Sequence, residues 1–325
     1  MTAIVGFGGY VPERVMTNED WSKLVDTTDE WITSRTGIKE RRFAADDEST
    51  LDLAAIAAER ALKDAGLTAD DIDEIIVATD TPEVYTPDTA SLLQHRLGCR
   101  NIPTYDLGGS GCAGFVQGLD VARARIHFEP KRILVIGVEL ISRLINWEDR
   151  ATSVLFGDAA GAVIMDSGSG RAEVLAVLAG TDGSKADILT LQTGGTRHPF
   201  TAEAAARGDH QRLDMNGREV FREAVRRMSG AVEDVLDQIG KRLEDVALIV
   251  PHQANLRIID AVGRKLGASE NQVYVNVDRY GNTGSASVPL ALWEANEEGL
   301  IKEGDLVVLT AFGAGFHWAA AALQF

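Results

Sequence analysis

The residue of this chain most apt for covalent chemistry is Cys112. It stands in Asp106-Leu-Gly-Gly-Ser-Gly-Cys-Ala-Gly-Phe115, where glycines crowd the approach and Ala113–Ala124 reads as a helix. A thiol at a helix start faces unpaired backbone N–H groups and the positive end of the macrodipole. Both favour the thiolate, so the setting predicts a pKa below the free value of about 8.5. The glycines also let a substrate approach the backbone closely. The alternative is a buried, inert cysteine, the common fate of a lone Cys. Cys99, in Leu97-Gly-Cys-Arg-Asn101, has no such setting and reads as structural. His252, in Val250-Pro-His-Gln-Ala-Asn255, directly follows a buried-type strand, where α/β proteins usually place reactive groups. Taken alone it reads as a core histidine. No second His or carboxylate stands at zinc-ligand spacing, so a metal role is not expected. Asn282, in Tyr280-Gly-Asn-Thr-Gly284, reads locally as a helix cap or turn residue.

Phosphate and nicotinamide chemistry fit poorly. Gly6, Gly8 and Gly9 follow a short strand, but the spacing is not GxGxxG, and Pro12 stands where a helix should begin. There is no Walker lysine, and no GxSxG elbow surrounds Ser110.

The elements that must position these residues alternate between strand and helix. Ile75–Thr79, Ile133–Val138, Ala247–Val250 and Leu306–Thr310 are short and mostly β-branched or aliphatic, which predicts buried strands. Ser49-Thr-Leu-Asp52 opens an alanine-rich helix that stops at Gly66. The segment Gln192–Arg212 is the expected irregular insert. A faint duplication runs through the chain. Ala65-Gly66 leads through Asp71 into Ile75-Ile76-Val77, and Ile239-Gly240 leads through Asp245 into Leu248-Ile249-Val250. Cys112–Ala122 is echoed by Ser285–Ala295, each a small-residue helix followed by a strand. Two similar α/β halves, 1–170 with the cysteine and 171–325 with the histidine and asparagine, would let loops from both meet at their junction.

The chain has 325 residues, 45% hydrophobic and 25% charged, an ordinary globular balance that argues against wholesale disorder. No window approaches the roughly 20 apolar residues of a membrane span, and the first ten residues lack a secretory pattern. Two cysteines cannot build a disulfide framework or a four-cysteine zinc site, so a reducing cytoplasm is the expected compartment. With 32 basic and 49 acidic residues the net charge is −17, which disfavours a nucleic-acid partner.

Taken together, the segments resemble the β-ketoacyl-[acyl-carrier-protein] synthase III family. The resemblance rests on Asp29-Glu-Trp-Ile32 with Arg35-Thr-Gly-Ile38, Cys112-Ala-Gly-Phe115, Phe156-Gly-Asp-Ala-Ala-Gly161, Val250-Pro-His-Gln-Ala-Asn-Leu-Arg-Ile258, Arg279-Tyr-Gly-Asn-Thr283 and Phe312-Gly-Ala-Gly-Phe316. These occur in the family's order and span almost the whole chain. The resemblance implies an α/β, thiolase-like fold, a duplicated α-β-α-β-α layered sandwich. It implies an acyltransferase that performs a decarboxylative Claisen condensation of an acyl-CoA primer with malonyl-acyl carrier protein, initiating fatty-acid synthesis without a metal or redox cofactor. By the same resemblance Cys112 is the nucleophile and His252 and Asn282 donate to the enolate oxygen. Backbone N–H groups of Cys112 and Ala314 bind the second oxyanion, and Phe312 lies beside the departing carboxylate. Trp31 and Arg150 resemble an adenine sandwich, Arg35 a coenzyme A phosphate contact, and Asn255 and Gly217 contacts along the pantetheine arm. A homodimer is also implied.

The family's carrier protein is acidic, so a chain at −17 needs a local basic face. Between Arg212 and Lys265 ten basic residues face nine acidic ones, a net of +1 against −18 for the remainder. Arg257, Arg264 and Lys265 share one helical side, and Arg222 and Arg226 are a turn apart. The resemblance makes Arg222, Arg257, Arg264 and Lys265 a docking patch. The alternative is an ordinary solvated mixed-charge surface.

Three positions depart from the family pattern. Five residues, Leu107–Gly111, separate Asp106 from Cys112 where four are usual. Ala314 replaces a common glycine. Thr86 stands where an aromatic often limits the acyl tunnel, which predicts tolerance of a different or longer acyl chain. The nearest rival reading is a related acyltransferase or condensing enzyme of specialised metabolism that moves the Cys112-bound acyl group to another acceptor. A thiolase lacks support because no second cysteine follows Cys112. A catalytically silent binding protein is the rival from another class.

Overall fold

The computed structural model describes residues 1–325. The first half runs through β1 (Thr2–Tyr10), α1 (Asp29–Thr36), α2 (Thr50–Ala65), β2 (Glu74–Ala78), α3 (Thr89–Leu97), β3 (Thr104–Leu107), α4 (Gly114–Phe128), β4 (Ile133–Leu140) and β5 (Asp158–Ser167). The second runs through β6 (Ala172–Thr181), α5 (Gly217–Gln238), β7 (Val246–Pro251), α6 (Leu256–Leu266), α7 (Ser287–Glu297), β8 (Leu306–Gly313) and β9 (His317–Gln324). The strands join in the order β7-β8-β9-β6-β1-β5-β4-β2-β3. The halves touch edge to edge at β1 and β6 over only two residue pairs, Ala3↔Glu173 and Ile4↔Ala172. The turn between Ser167 and Ala172 carries the chain across.

The duplication is carried by topology and by local detail. In the first half β2 lies parallel to β3 and β4, and β5 antiparallel to β4 and β1. In the second, β7 lies parallel to β8 and to a single bridge at Val273, and β9 antiparallel to β8 and β6. Gly66 ends α2 at φ 67° and Gly240 follows α5 at φ 66°, left-handed positions that suit glycine. The aspartates five residues on then cap matching 3₁₀ turns. Asp71 accepts from the Thr68 N–H at 2.8 Å, and Asp245 from the Arg242 N–H at 2.9 Å.

The layering follows from which residues are small. The buried face of α2 carries Ala54, Ala57, Ala58 and Ala61, which lets the helix lie nearly on the backbone of β1. A Cβ at Gly8 would fall 2.2 Å from the Ala57 carbonyl oxygen. On the far side α5 covers β8 and β9 with Ala231, Val232, Val235 and Leu236. Between the sheets α4 and α7 are buried on both faces, with Phe115, Leu119 and Ala122 of one and Val288, Ala291 and Ala295 of the other sharing a core with strands of both halves. Helices enclosed in this way need small side chains throughout, which explains the echo between Cys112–Ala122 and Ser285–Ala295. The result is the expected five-layered α-β-α-β-α sandwich.

Two details matter for the site. The strand read at Leu306–Thr310 continues to Gly313 and so delivers Phe312 and Ala314 to the junction. The irregular segment 192–212 lies between two short paired strands, Leu189–Leu191 and Leu213–Met215, and contains a short helix, Ala202–Ala206.

Candidate active site

A cavity of 1020 Å³ opens at the junction of the halves and is lined by Cys112, His252, Asn282, Phe312 and Ala314 together. Its walls are mainly apolar, including Leu144, Ile145, Leu155, Met215, Val220 and Met228. No group of three or more His, Cys, Asp or Glu side chains converges as a metal site. No helix is long and apolar enough to cross a membrane.

Cys112 lies in a 3₁₀ turn, Gly111–Ala113, that leads directly into α4. The expectation of a lowered thiol pKa is overturned. Burial raises it, and the carboxylates of Glu139 and Asp80 push the same way against its own backbone N–H. A helix terminus contributes about 0.3–2 kcal/mol, less than the cost of forming an anion out of water beside two carboxyl groups.

The backbone around it is packed to contact. A Cβ at Gly111 would lie 2.6 Å from the Ala314 nitrogen, and one at Gly313 2.4 Å from the Cys112 nitrogen. The amides of Cys112 and Ala314 thus sit side by side, as an oxyanion hole needs. In the lengthened loop before Cys112, Gly109 and Gly111 take left-handed backbone positions, at φ 74° and 54°.

His252 directly follows β7, its N–H donating to the Thr310 carbonyl at 2.8 Å. It is 3% exposed. Burial pushes the imidazole down to about 3, so it is neutral at physiological pH. Its Nδ1 is buried with no hydrogen-bond partner. A proton placed there would have no acceptor, which leaves Nε2 as the donor nitrogen. Asn282 is held by its backbone, the N–H donating to the Leu155 carbonyl at 2.8 Å and the carbonyl accepting from Gly157 at 3.0 Å. Its Oδ1 accepts the Gly284 N–H at 2.9 Å. The turn-residue reading is therefore correct, and it has a chemical consequence: with Oδ1 engaged, the side-chain NH₂ is the group left to donate.

Gln253 was not singled out by sequence, yet it ties the two donors together. It is 1% exposed. Its Oε1 accepts the N–H groups of Asn276 and Val277 at 2.9 and 3.1 Å, and its Nε2 donates to the carbonyls of Pro251 and Tyr274 at 2.9 and 3.0 Å. It thus fastens the strand end that bears His252 to the segment that leads to Asn282. Gln253→Leu is expected to slow the chemistry that needs both donors by about 10- to 100-fold, while Cys112 modification by an acyl donor stays within a few-fold. Stopped-flow comparison of the two half-reactions checks this; equal loss in both would assign Gln253 to folding alone.

Asp80 and Glu139 were also missed. Asp80 follows β2 as His252 follows β7, and that shared strand-end position is the signal that could have found it. Glu139 is a lone acid inside the apolar run Ile133–Leu140, a buried charge that demands partners.

The binding residues divide. Arg35, Gly217, Asn255 and Arg257 line the cavity. Trp31 stands on α1 with the guanidinium of Arg35 at 4.6 Å from its ring centroid and that of Arg150 at 4.8 Å. At that distance the Arg150 guanidinium lies against the Trp31 ring, with no room for a base between them. Thr86 is exposed and does not line the cavity; Val84 and Tyr85 do. Within one chain the acyl-limiting role expected of Thr86 thus finds no contact, because its loop turns outward at this residue. In the basic patch, Arg264 and Lys265 are exposed at the end of α6. Arg257 donates to the Ser34 carbonyl at 2.7 Å. Arg222 is neutralised by Glu219 and Glu223 of its own helix.

Comparison with known proteins agrees with this geometry. Residues 105–183 match the family profile described as 3-oxoacyl-[acyl-carrier-protein] synthase III, and residues 236–325 match that of its C-terminal part. The chain is 48% identical to a β-ketoacyl-[acyl-carrier-protein] synthase III of Oleidesulfovibrio alaskensis, over 99% of this chain and 98% of that one. The crystal structure of the Thermus thermophilus synthase III superposes with a TM-score of 0.91 at 46% identity, covering 99% of both chains. That of Aquifex aeolicus gives a TM-score of 0.91 at 42% identity, covering 100% of both. With the relatives matched end to end and the cysteine, histidine and asparagine gathered at one cavity, the chain belongs to the β-ketoacyl-[acyl-carrier-protein] synthase III family.

Proposed function

We propose that this chain condenses an acyl-CoA primer with malonyl-acyl carrier protein through an acyl-Cys112 intermediate, the initiating step of fatty-acid synthesis. The observation that carries the reading is the meeting of one nucleophile with two separate pairs of donors at one cavity. Cys112 Sγ attacks the thioester carbonyl, the carbon–sulfur bond to coenzyme A breaks, and the thiol proton leaves with coenzyme A. The attacking form is the thiolate, so the S–H bond breaks as the carbon–sulfur bond to Cys112 forms, and the proton ends on the coenzyme A thiol. Malonyl then loses carbon dioxide. The enolate oxygen accepts from His252 Nε2–H and the Asn282 amide, and the buried Phe312 ring offers the departing carboxylate an apolar wall. The carbanion attacks the acyl-cysteine, and the amides of Cys112 and Ala314 hold the oxyanion until Cys112 is expelled and reprotonated.

Coenzyme A would extend from Gly217 and Asn255 past Arg35 to Trp31 and Arg150. Trp31→Ala is expected to raise KM for acyl-CoA by about 10-fold with kcat nearly unchanged, because stacking of a remote base binds ground and transition states alike. A fall in kcat instead would place Trp31 in the fold of α1. Carrier protein would dock on Arg257, Arg264 and Lys265, with Arg222 a weaker contributor because its charge is already paired. We further propose that no metal or redox cofactor takes part, that the enzyme is a cytoplasmic homodimer, and that Thr86 reaches an acyl pocket only across such a dimer.

Intact-protein mass spectrometry after incubation with a panel of acyl-CoAs tests the first half-reaction and ranks the acyl chains. Adding malonyl-acyl carrier protein tests the second. Discharge of the acyl group to water or an alcohol without a malonyl donor would favour the rival acyltransferase reading.

A further inference from the structure

Two acids that the reaction above does not use stand beside the nucleophile. Asp80 lines the same cavity as Cys112 and Glu139. Its Oδ1 accepts the Gly109 N–H at 2.7 Å. Its own N–H donates to Glu139 Oε1 at 3.0 Å. Glu139 in turn accepts from Thr81 Oγ1 at 2.7 Å and from Ser285 Oγ at 2.9 Å, so it is anchored on both halves.

The loop Leu107–Gly111 contains three glycines and one residue more than the family pattern. Such a segment loses more backbone freedom than most when it is fixed, so a specific restraint must hold it. Only Cys112 and Ala113 separate it from α4, and with Gly111 they form the 3₁₀ turn that carries the nucleophile. A hydrogen bond from the Gly109 amide to the Asp80 carboxylate supplies that restraint from just beyond the end of β2.

We infer that Asp80 is a positioning residue for the nucleophile: its carboxylate fastens the amide of Gly109 and so fixes the lengthened loop that sets the Cys112 N–H beside that of Ala314. The inference rests on Cys112 being the acylated residue. Asp80 has a second, electrostatic consequence. The groups that face it are Glu139, Cys112 and His317. Burial pushes the Glu139 carboxyl up to about 8, with Asp80 adding to the rise, and a negative charge on either acid opposes the thiolate of Cys112.

The two effects separate by substitution. Asp80→Asn keeps an acceptor oxygen and loses the charge; Asp80→Ala loses both. Acylation of Cys112 by the preferred acyl-CoA, followed by mass spectrometry, is expected to fall about 10- to 100-fold in Asp80→Ala and to stay within about 3-fold of wild type in Asp80→Asn. The pH midpoint of Cys112 alkylation by iodoacetamide is expected to move down in both variants, because a neighbouring negative charge is gone. A purely structural role would not move the midpoint in a well-folded Asp80→Asn. Wild-type acylation rates in Asp80→Ala would overturn the inference, as would equal losses in the two variants. If Asp80→Ala does not fold, Asp80→Ser, too short to reach the Gly109 amide, takes its place. If wild-type enzyme accepts no acyl-CoA, the acyl-enzyme reading fails separately. The limiting alkylation rate at high pH then decides: altered in Asp80→Ala but not in Asp80→Asn supports positioning, and unchanged in both sinks it.

Discussion

Cys112→Ser is expected to lose condensing activity by on the order of 10⁴-fold or more, with no acyl group retained on the protein after incubation with acyl-CoA. The size follows from what the thiol does. In the proposed mechanism it carries the acyl chain while coenzyme A leaves and the second substrate enters, and no other cysteine lines the cavity. Removing a covalent nucleophile from a constellation that acts as a unit collapses the rate to what binding and the oxyanion donors supply alone. Serine is the stringent replacement, because it keeps the shape while its hydroxyl is a far poorer nucleophile in this site. Burial and the carboxylates of Glu139 and Asp80 already raise the thiol pKa; the same surroundings oppose an alkoxide still more. Intact mass measurement with peptide mapping checks the prediction. A stable adduct on any residue other than Cys112, or undiminished condensation by the serine variant, would overturn the assignment.

The second large effect is selective. His252→Ala and Asn282→Ala are each expected to slow decarboxylation of malonyl-acyl carrier protein by about 10²–10³-fold, the usual cost of one oxyanion donor. Acylation of Cys112 should be spared by comparison, because its oxyanion is held by backbone amides. Carbon dioxide release and acyl-enzyme formation, measured separately, give the two rates. Loss of both in equal measure would show that these residues support the fold rather than the enolate. The pH dependence has a definite sign. The imidazole is neutral down to about pH 3, so its donor N–H is intact between pH 5 and 8 and no loss of decarboxylation in that range comes from its protonation. An ordinary exposed histidine would become charged near pH 6.5. Double substitution is expected to cost less than the product of the single losses, since both donors serve one oxygen.

Much of this protein was legible in the chain itself. The helix from Ser49 to Gly66, the buried strands and the repeat between Gly66–Asp71 and Gly240–Asp245 are local signals, set by capping groups, side-chain branching and the left-handed glycine. Those signals act between residues close in sequence, so a linear reading captures them. The order of the motifs likewise pointed to Cys112, His252 and Asn282, which the fold gathers at one cavity.

Tertiary structure alone decided how these residues behave. The helix start at Cys112 predicted a thiolate, but desolvation and two carboxylates from other strands outweigh the local dipole. Asn282 reads as a turn residue, and only the capture of its Oδ1 by Gly284 shows which end of the amide is free. Trp31 carries Arg150 on its face in the free protein, a contact between residues more than a hundred positions apart. Thr86 turns away from the cavity that its place in the sequence suggested. Asp80, Glu139 and Gln253 escaped notice because no short motif marks them. Their partners lie on other strands and loops, and burial, not sequence neighbourhood, makes a lone carboxylate or amide bind whatever folding brings beside it.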